Sequence, residues 1–386
     1  MSNFHTEYDF RFGRFPTRVI IRREIPPLEQ ILKDSAALGY CFSGHLLICD
    51  EHTEIFARRI ADGAVCVLKS GEEEKTWASV ERILKAAKDR GLGRDGLFIG
   101  IGGGVISDLA AFAASVYMRG ARLCIVSTTL LGMADAAVGG KTGFDLFGIK
   151  NLAGTFFPAR IVYMPLESLD TLPEYEWKSG MAEIIKTAVL DWGNKPEPPA
   201  CMHDFFSACR RLRAGSPPGV FPDHLYNLNP EELFECITRS VGFKGRIVEA
   251  DPEETGGKRA LLNLGHTFAH ALEASLGLGS ISHGEAVAWG LARSCELGFS
   301  IGITSEEQML EIKEVLALYG YETAAPYPLL KDMPFFMRAL DGDKKKSGGR
   351  LSFIVPCETG AVSVKPGAGL PPDYLHVVEK ILAGKL

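Results

Sequence analysis

No two cysteines of this chain stand in a CxxC pair, and the nine thiols lie scattered between Cys41 and Cys357. An odd, dispersed set fits reduced, packed cysteines and excludes both a disulfide framework and a Cys-based zinc site. No apolar run approaches the roughly 18 residues that span a bilayer. Positive charge is also short. Lys and Arg number 42 against 48 Asp and Glu, a net charge of −6, so there is no overall basic field for nucleic acid. The opening stretch MSNFHTEYDFRFGRF lacks the charged and then apolar segments of a signal peptide, and a cytoplasmic protein is expected. Internal repeats and low-complexity tracts are missing. Histidine is scarce, nine in 386 residues, yet His266, His270 and His283 crowd into NLGHTFAHALEASLGLGSISHGEA.

What is present suits a globular protein with a large core: 386 residues, which at about 150 per domain suggests two domains. In the first half, short apolar runs alternate with helical periods. TRVIIRR, HLLICD, AVCVLKSG, GLFIGIGGG and ARLCIVSTTL read as strands. TWASVERILKAAKDRG and VISDLAAFAASVYM read as helices, the first stopping at Gly91. This alternation predicts a Rossmann-like, doubly wound parallel α/β domain over residues 1–173. Residues 174–386 predict a mainly α-helical second domain. Its 3.6-residue period runs through EYEWKSGMAEIIKTAVLDW, PEELFECITRSVGFKGRIVEAD and SEEQMLEIKEVLALYG, with a hairpin in GRLSFIVPCETGAVSV. A Pro- and Gly-rich connection from Gly193 to Pro222 carries one helix.

His266 and His270 are four apart and share a helix face, but the HExxH of zinc proteases does not fit, because Thr267 follows the first histidine. Two antiparallel helices joined at Gly277 and Gly279 would bring His283 beside His266. Packed histidines and a metal or catalytic cluster both remain open readings of this stretch. Glu183 and Lys186 are three apart on an otherwise apolar helix, either as an ordinary ion pair or with Glu183 as a third metal ligand beside His266 and His283. FIGIGGGVISD is a strand, glycine turn and helix start suited to a phosphate, although Val105 stands where a GxGxxG motif has its last glycine. Asp50, Glu72 and Lys75 end neighbouring strands, as ribose-binding groups or as solvated charges. Asp135 and Lys141 sit in an apolar, glycine-rich segment, which suggests a polar cleft. With Lys244, Arg259, Asn263, and Lys344 and Lys345 in a loop, the cations point to a substrate with several negative charges.

The segments SGEEEKT, GGGVISDLAAFAASVYMRG, STTLLGMADAAVGGKTG, GIKNLAGTF, SGMAEIIK, LLNLGHTFAHALEA, HGEAVAWG and DKK come in an order and at spacings that resemble the 3-dehydroquinate synthases, members of the sugar phosphate cyclases. The resemblance covers nearly the full length. It implies NAD⁺ at Gly103, Gly104 and Val105, with Asp50, Glu72 and Lys75 at the adenosine end. Asp108, Thr128 and Thr129 then lie beside the nicotinamide half, and Lys150 is a further cofactor contact. It implies zinc, with cobalt as the alternative, on Glu183, His266 and His283. Asp135, Lys141, Lys186, Lys244 and His270 take catalytic roles, and Asn151, Arg259, Asn263, Lys344 and Lys345 bind substrate. Arg119 reaches the phosphate site of a second copy, implying a homodimer.

The implied activity is that of a phosphate-eliminating lyase of aromatic biosynthesis. It converts 3-deoxy-D-arabino-heptulosonate 7-phosphate to 3-dehydroquinate by transient oxidation, elimination, reduction and aldol closure. Relatives acting on sedoheptulose 7-phosphate, and metal-dependent polyol dehydrogenases, are the rival readings. The chain departs from the family pattern in STT for PTT, ADAAVGGK for VDSSVGGK, and Glu51 and His52 after Asp50. It also carries a longer Pro-rich connection and one extra residue in TGGKR.

Overall fold

The computed structural model describes residues 4–193, 205–212 and 229–385, except 62, 64, 278 and 347–350, and gives only the backbone of 342–346. The chain divides into two compact units. Unit 1 is Met1–Leu172 together with Lys244–Thr255, and unit 2 is Pro173–Phe243 with Gly256–Leu386. Lys244–Thr255 thus lies well beyond residue 173 in sequence yet packs within unit 1.

Unit 1 contains strands β1 (His5–Phe12), β2 (Phe15–Arg22), β3 (His45–Asp50), β4 (Val65–Leu68), β5 (Leu97–Gly102), β6 (Arg122–Ser127), β7 (Lys141–Leu146), β8 (Ile149–Phe156) and β9 (Ile161–Pro165). Its helices are α1 (Leu28–Ala37), α2 (Glu54–Ile60), α3 (Trp77–Asp89) and α4 (Gly104–Val116). Seven strands form one sheet in the order β1-β2-β9-β6-β5-β3-β4. Every pairing is parallel except that of β1 with β2. Strands buried on both faces need continuous apolar runs, and all six residues of β5 are buried.

Side-chain alternation sends the two faces to different helices. Leu47, Ile99, Ile101 and Val126 join Ile31 of α1 and Phe56 of α2 in one core. On the other face α4 comes close: a Cβ on Gly100 would meet the Cβ of Ala110 at 2.9 Å. β4 lies on one side of β3 and β5 on the other, so the strand order reverses there, and the carboxyl ends of β3 and β5 flank the crevice where such sheets bind ligands. β7 and β8 form a separate hairpin.

Unit 2 holds α5 (Glu174–Leu190), α6 (Phe205–Leu212), α7 (Pro230–Ala250, its last turns counted with unit 1), α8 (His266–Leu276), α9 (His283–Ser300), α10 (Glu306–Leu318), α11 (Met333–Lys346) and α12 (Tyr374–Leu382). A small sheet of β10 (Phe353–Cys357), β11 (Gly360–Pro366) and β12 (Gly369–Leu370) completes it. The expected hairpin turns between Cys357 and Gly360. Phe268, Trp289, Phe353 and Val378 centre the core. Helix α9 is buried over nearly its whole length, and its buried Arg293 is paired within the helix with Glu296, Nε to Oε2 at 2.9 Å.

Lys344 and Lys345 belong to the backbone of helix α11, not to a loop; lysine is a good helix former and extends the helix that MPFFMRAL begins. Their side chains lie outside the described residues, as does most of the Pro-rich connection, of which α6 is the described helix. Among the described residues no helix is long and apolar enough to cross a membrane.

Candidate active site and metal centre

In unit 1 the polypeptide leaves β5 and turns through Gly103 into α4. Glycine is required at Gly103 by proximity, since a Cβ would lie 2.9 Å from Thr129 Cγ2. Neither an N-cap side chain nor an acidic residue occupies the start of α4, so its first N–H groups face outward with the positive end of the helix dipole. Val105 sits in that first turn, half-buried.

Around this turn three hydroxyls, Ser107 Oγ, Ser127 Oγ and Thr128 Oγ1, are buried and find no hydrogen-bond partner among the described residues. Buried orphan polar atoms are costly unless a ligand completes them, and a nucleotide cofactor is a fitting occupant. Thr129 Oγ1 is committed, accepting from Gly132 N at 3.0 Å. Asp50, at the end of β3, uses Oδ1 to accept from the backbone N–H of Thr53 (2.8 Å) and from its hydroxyl (2.7 Å), which fixes the turn into α2.

Lys75 is buried, with Nζ 2.6 Å from Asp108 and 3.9 Å from the exposed Glu72. Burial works against the Lys75 charge, but Asp108 and Glu72 outweigh it and raise its pKa. Asp108 itself is pushed up to about 6, because burial outweighs the attraction of Lys75.

Further along, a π-helical turn at Gly132–Ala136 presents Asp135, the kind of irregularity common at functional sites. Its Oδ1 accepts from Lys244 Nζ at 2.5 Å, and its backbone oxygen from the same ammonium at 2.6 Å. Lys141 makes an ion pair with Glu254. Lys150 and Asn151 are exposed on β8, and Asn151 has a left-handed φ of 54° with its N–H on Asp145 Oδ1. Arg119 is exposed, and it and Met118 adopt positive φ angles of 68° and 47°. Two successive side-chain-bearing residues in that region store strain.

Unit 2 gathers Glu183 from α5, His266 from α8 and His283 from α9. Each offers a ligand atom, and these atoms lie within 4.8 Å of one another. Glu183 Oε1 stands 3.5 Å from both Nε2 atoms, and Lys186 ion-pairs with Oε2.

Backbone contact explains how three helices come so close. A Cβ on Gly284 of α9 would lie 2.3 Å from Ser179 Cα of α5, and one on Gly290 would lie 2.2 Å from the carbonyl of Gly265, the residue that begins α8. Ser282 starts α9 with a capping box to Glu285, which sets the helix entry beside His283.

Burial alone would raise the Glu183 pKa, but Lys186 and then the two histidines hold it well below the carboxylate range. Burial and the Lys186 charge push His266 down to about 3. His283 resists its burial and rises to about 10 through Glu183 and Glu273. A buried carboxylate with Lys186 on one oxygen and two imidazoles facing the other is a donor set that suits zinc.

His270 lies one turn beyond His266, its ring centroid 5.5 Å from that of His266. Arg259 is buried and Asn263 exposed at the two ends of the 3-10 turn that leads to α8. The structure therefore draws together Lys75 with Asp108, Asp135 with Lys244, and Glu183 with Lys186, His266, His270 and His283. It leaves Lys150, Asn151 and Arg119 as exposed residues. Sequence reasoning passes over Ser107, Ser127, Glu254 and Glu273. Of these only Glu273 carries a readable signal, seven residues after His266 on one helix face.

Family models for the 3-dehydroquinate synthase N-terminal and C-terminal domains match residues 65–179 and 209–346. The chain belongs to the 3-dehydroquinate synthase family. The 3-dehydroquinate synthase of Prochlorococcus marinus (strain MIT 9211) is 39% identical over 297 residues, covering 77% of this chain and 75% of that one. That of Rhodopirellula baltica is 37% identical over 300 residues, 77% of this chain and 73% of the other. Among solved structures, 2-epi-5-epi-valiolone synthase from Streptomyces hygroscopicus subsp. jinggangensis, with NAD⁺ and Zn²⁺ bound, superposes with a TM-score of 0.76. At 22% identity over 94% of this chain and 96% of that one, it establishes the shared fold.

Proposed function

We propose that this chain is a 3-dehydroquinate synthase that uses NAD⁺ and zinc, or cobalt in its place, to turn 3-deoxy-D-arabino-heptulosonate 7-phosphate into 3-dehydroquinate and phosphate. The observation that carries the reading is the convergence of Glu183, His266 and His283 in a member of this family. When bound, NAD⁺ supplies a reversible hydride acceptor and zinc a Lewis acid for a substrate hydroxyl.

The chain's own residues supply orientation and charge. The α4 N-terminus at Gly103, Gly104 and Val105 takes the cofactor's pyrophosphate, and Asp50, Glu72, Lys75 and Lys150 serve its adenosine half. The Lys75–Asp108 pair and the hydroxyls of Thr128 and Thr129 position its nicotinamide half. Arg259, buried and forked, suits the substrate carboxylate, with Asn263 beside it. Lys141, Asn151, His270, Lys344 and Lys345 are the phosphate-side groups. Lys186 and the Lys244–Asp135 pair hold protons and hydroxyls where C–H and C–O bonds break, and the departing phosphate itself removes the proton in the elimination.

We also infer a homodimer acting in the cytoplasm. Phe147 and Gly148 form the two-residue turn of the β7–β8 hairpin, both with positive φ. Phe147 is 87% exposed, and Ile149, Leu152 and Phe156 of β8 are exposed with Val116 and Met118. An exposed apolar surface of this kind suits self-association, and Arg119 follows Met118 directly. The eight described cysteines are all free, in keeping with a reducing compartment.

The test combines the purified protein with zinc, trace NAD⁺ and the seven-carbon substrate, following phosphate and NADH absorbance together. Many phosphates per NAD⁺ without lasting NADH is the expected result. Lasting NADH would make the chain a dehydrogenase, and turnover of sedoheptulose 7-phosphate alone would make it a sister cyclase.

A further inference from the structure

Each imidazole of the trio turns one nitrogen to Glu183 and engages the other elsewhere. His266 Nδ1 lies 3.2 Å from the carbonyl oxygen of Leu264. His283 Nδ1 lies 3.3 Å from Glu273 Oε1. Both Nε2 atoms face Glu183 Oε1 at 3.5 Å. A carbonyl and a carboxylate can only accept, so each Nδ1 carries the proton and each Nε2 presents a lone pair when a cation is bound.

The two histidines nevertheless differ. His266 leans on a neutral oxygen, whereas His283 leans on a carboxylate whose side chain is 20% exposed and so only weakly screened by water. A carboxylate on Nδ1 orients the ring and makes Nε2 a more basic ligand.

We propose that Glu273 is a positioning residue: it aligns His283 and strengthens it as a ligand, making His283 the contact that governs how firmly the metal is kept. The placement follows from helix geometry. Glu273 sits two turns after His266 on the same face of α8, so one helix supplies a ligand to the cation and the support for a ligand on α9. The inference rests on Glu183, His266 and His283 being the metal ligands.

The experiment measures the zinc Kd of the full-length protein by competition with a chromophoric chelator, for wild type, Glu273→Gln and Glu273→Asp. The Co²⁺ absorption bands of each are recorded alongside. Glu273→Gln keeps the shape and removes the charge, so its zinc affinity falls by about 10- to 100-fold and its cobalt bands shift. Glu273→Asp keeps the charge on a shorter arm and recovers part of the loss. A Glu273→Gln protein that binds zinc as tightly as wild type, with unchanged cobalt bands, overturns the inference while leaving the trio standing. A wild type that takes up no zinc overturns the trio itself and the inference with it.

Discussion

Replacing Glu183 by Gln removes the counter-charge that Lys186 meets inside α5, where both side chains are at most 2% exposed. Breaking a buried pair from one side costs about 3–5 kcal/mol, so Glu183→Gln should unfold well below wild type in urea and take up no zinc. Lys186→Met, which also breaks the pair but leaves the three ligands in place, should still bind the metal; calorimetric titration with zinc separates the two outcomes. Asp108 gives a pH test. Its native pKa of about 6 lies above the ordinary 3.8, so the folded state holds the proton more strongly than the unfolded chain. The stability this contributes is complete below 3.8 and is lost as pH rises to about 6, with no further change above. Urea titrations from pH 4 to 7 should show that decline in wild type and a flatter profile in Asp108→Asn. At this scale the sequence was eloquent where chemistry and spacing coincide. His266, His270 and His283 announce themselves because so few histidines exist to share out. Ser107 and Ser127 do not, because a hydroxyl matters here only once burial has deprived it of water.

Among the elements, close backbone approach does what side-chain packing cannot. Gly284 and Gly290 let α9 meet α5 and the start of α8. An added methyl at Gly290 must push against the Gly265 carbonyl, an overpacking that costs about 1–3 kcal/mol. Gly290→Ala should lower the melting temperature and weaken zinc binding together, whereas an alanine at Gly302, whose Cβ direction meets nothing within 4 Å among the described residues but whose φ is 75°, should affect stability alone. Parallel strands such as β5 and β6 were readable from their apolar runs, and α8, its glycine turn and α9 from period and punctuation. The β7–β8 hairpin was not. β8 is exposed along nearly all its length, so it has no buried face to impose a two-residue alternation, and its glycines read as a connection. β1 does alternate, through Phe10 and Phe12, but its charged outward positions disguise an edge strand.

For the whole molecule, metal and association both bear on stability. Zinc bound only by the folded chain adds about 2.7 kcal/mol at a free concentration of 100 times Kd. A chelator should therefore lower the melting temperature, and zinc should restore it. Phe147→Asp places a charge at the tip of the exposed hairpin; on the proposed homodimer, light scattering should report a dimer for wild type and a monomer for the variant, with the melting temperature of dilute wild type approaching that of the variant. The change from strand–helix alternation to helix after helix was legible in the sequence. The return of Lys244–Thr255 to unit 1 was not, because nothing in the uninterrupted period of α7 marks the residue at which a helix changes company.

Helix α8 is also a ruler. His266, His270 and Glu273 keep their common face only while the count between them stays at four and three, and each added or lost residue turns the remainder by about 100°. Length variation in this protein's lineage must then collect elsewhere, in the glycine turn before Ser282 or the Pro-rich connection, while the seven-residue step from His266 to Glu273 admits substitution but no change of length.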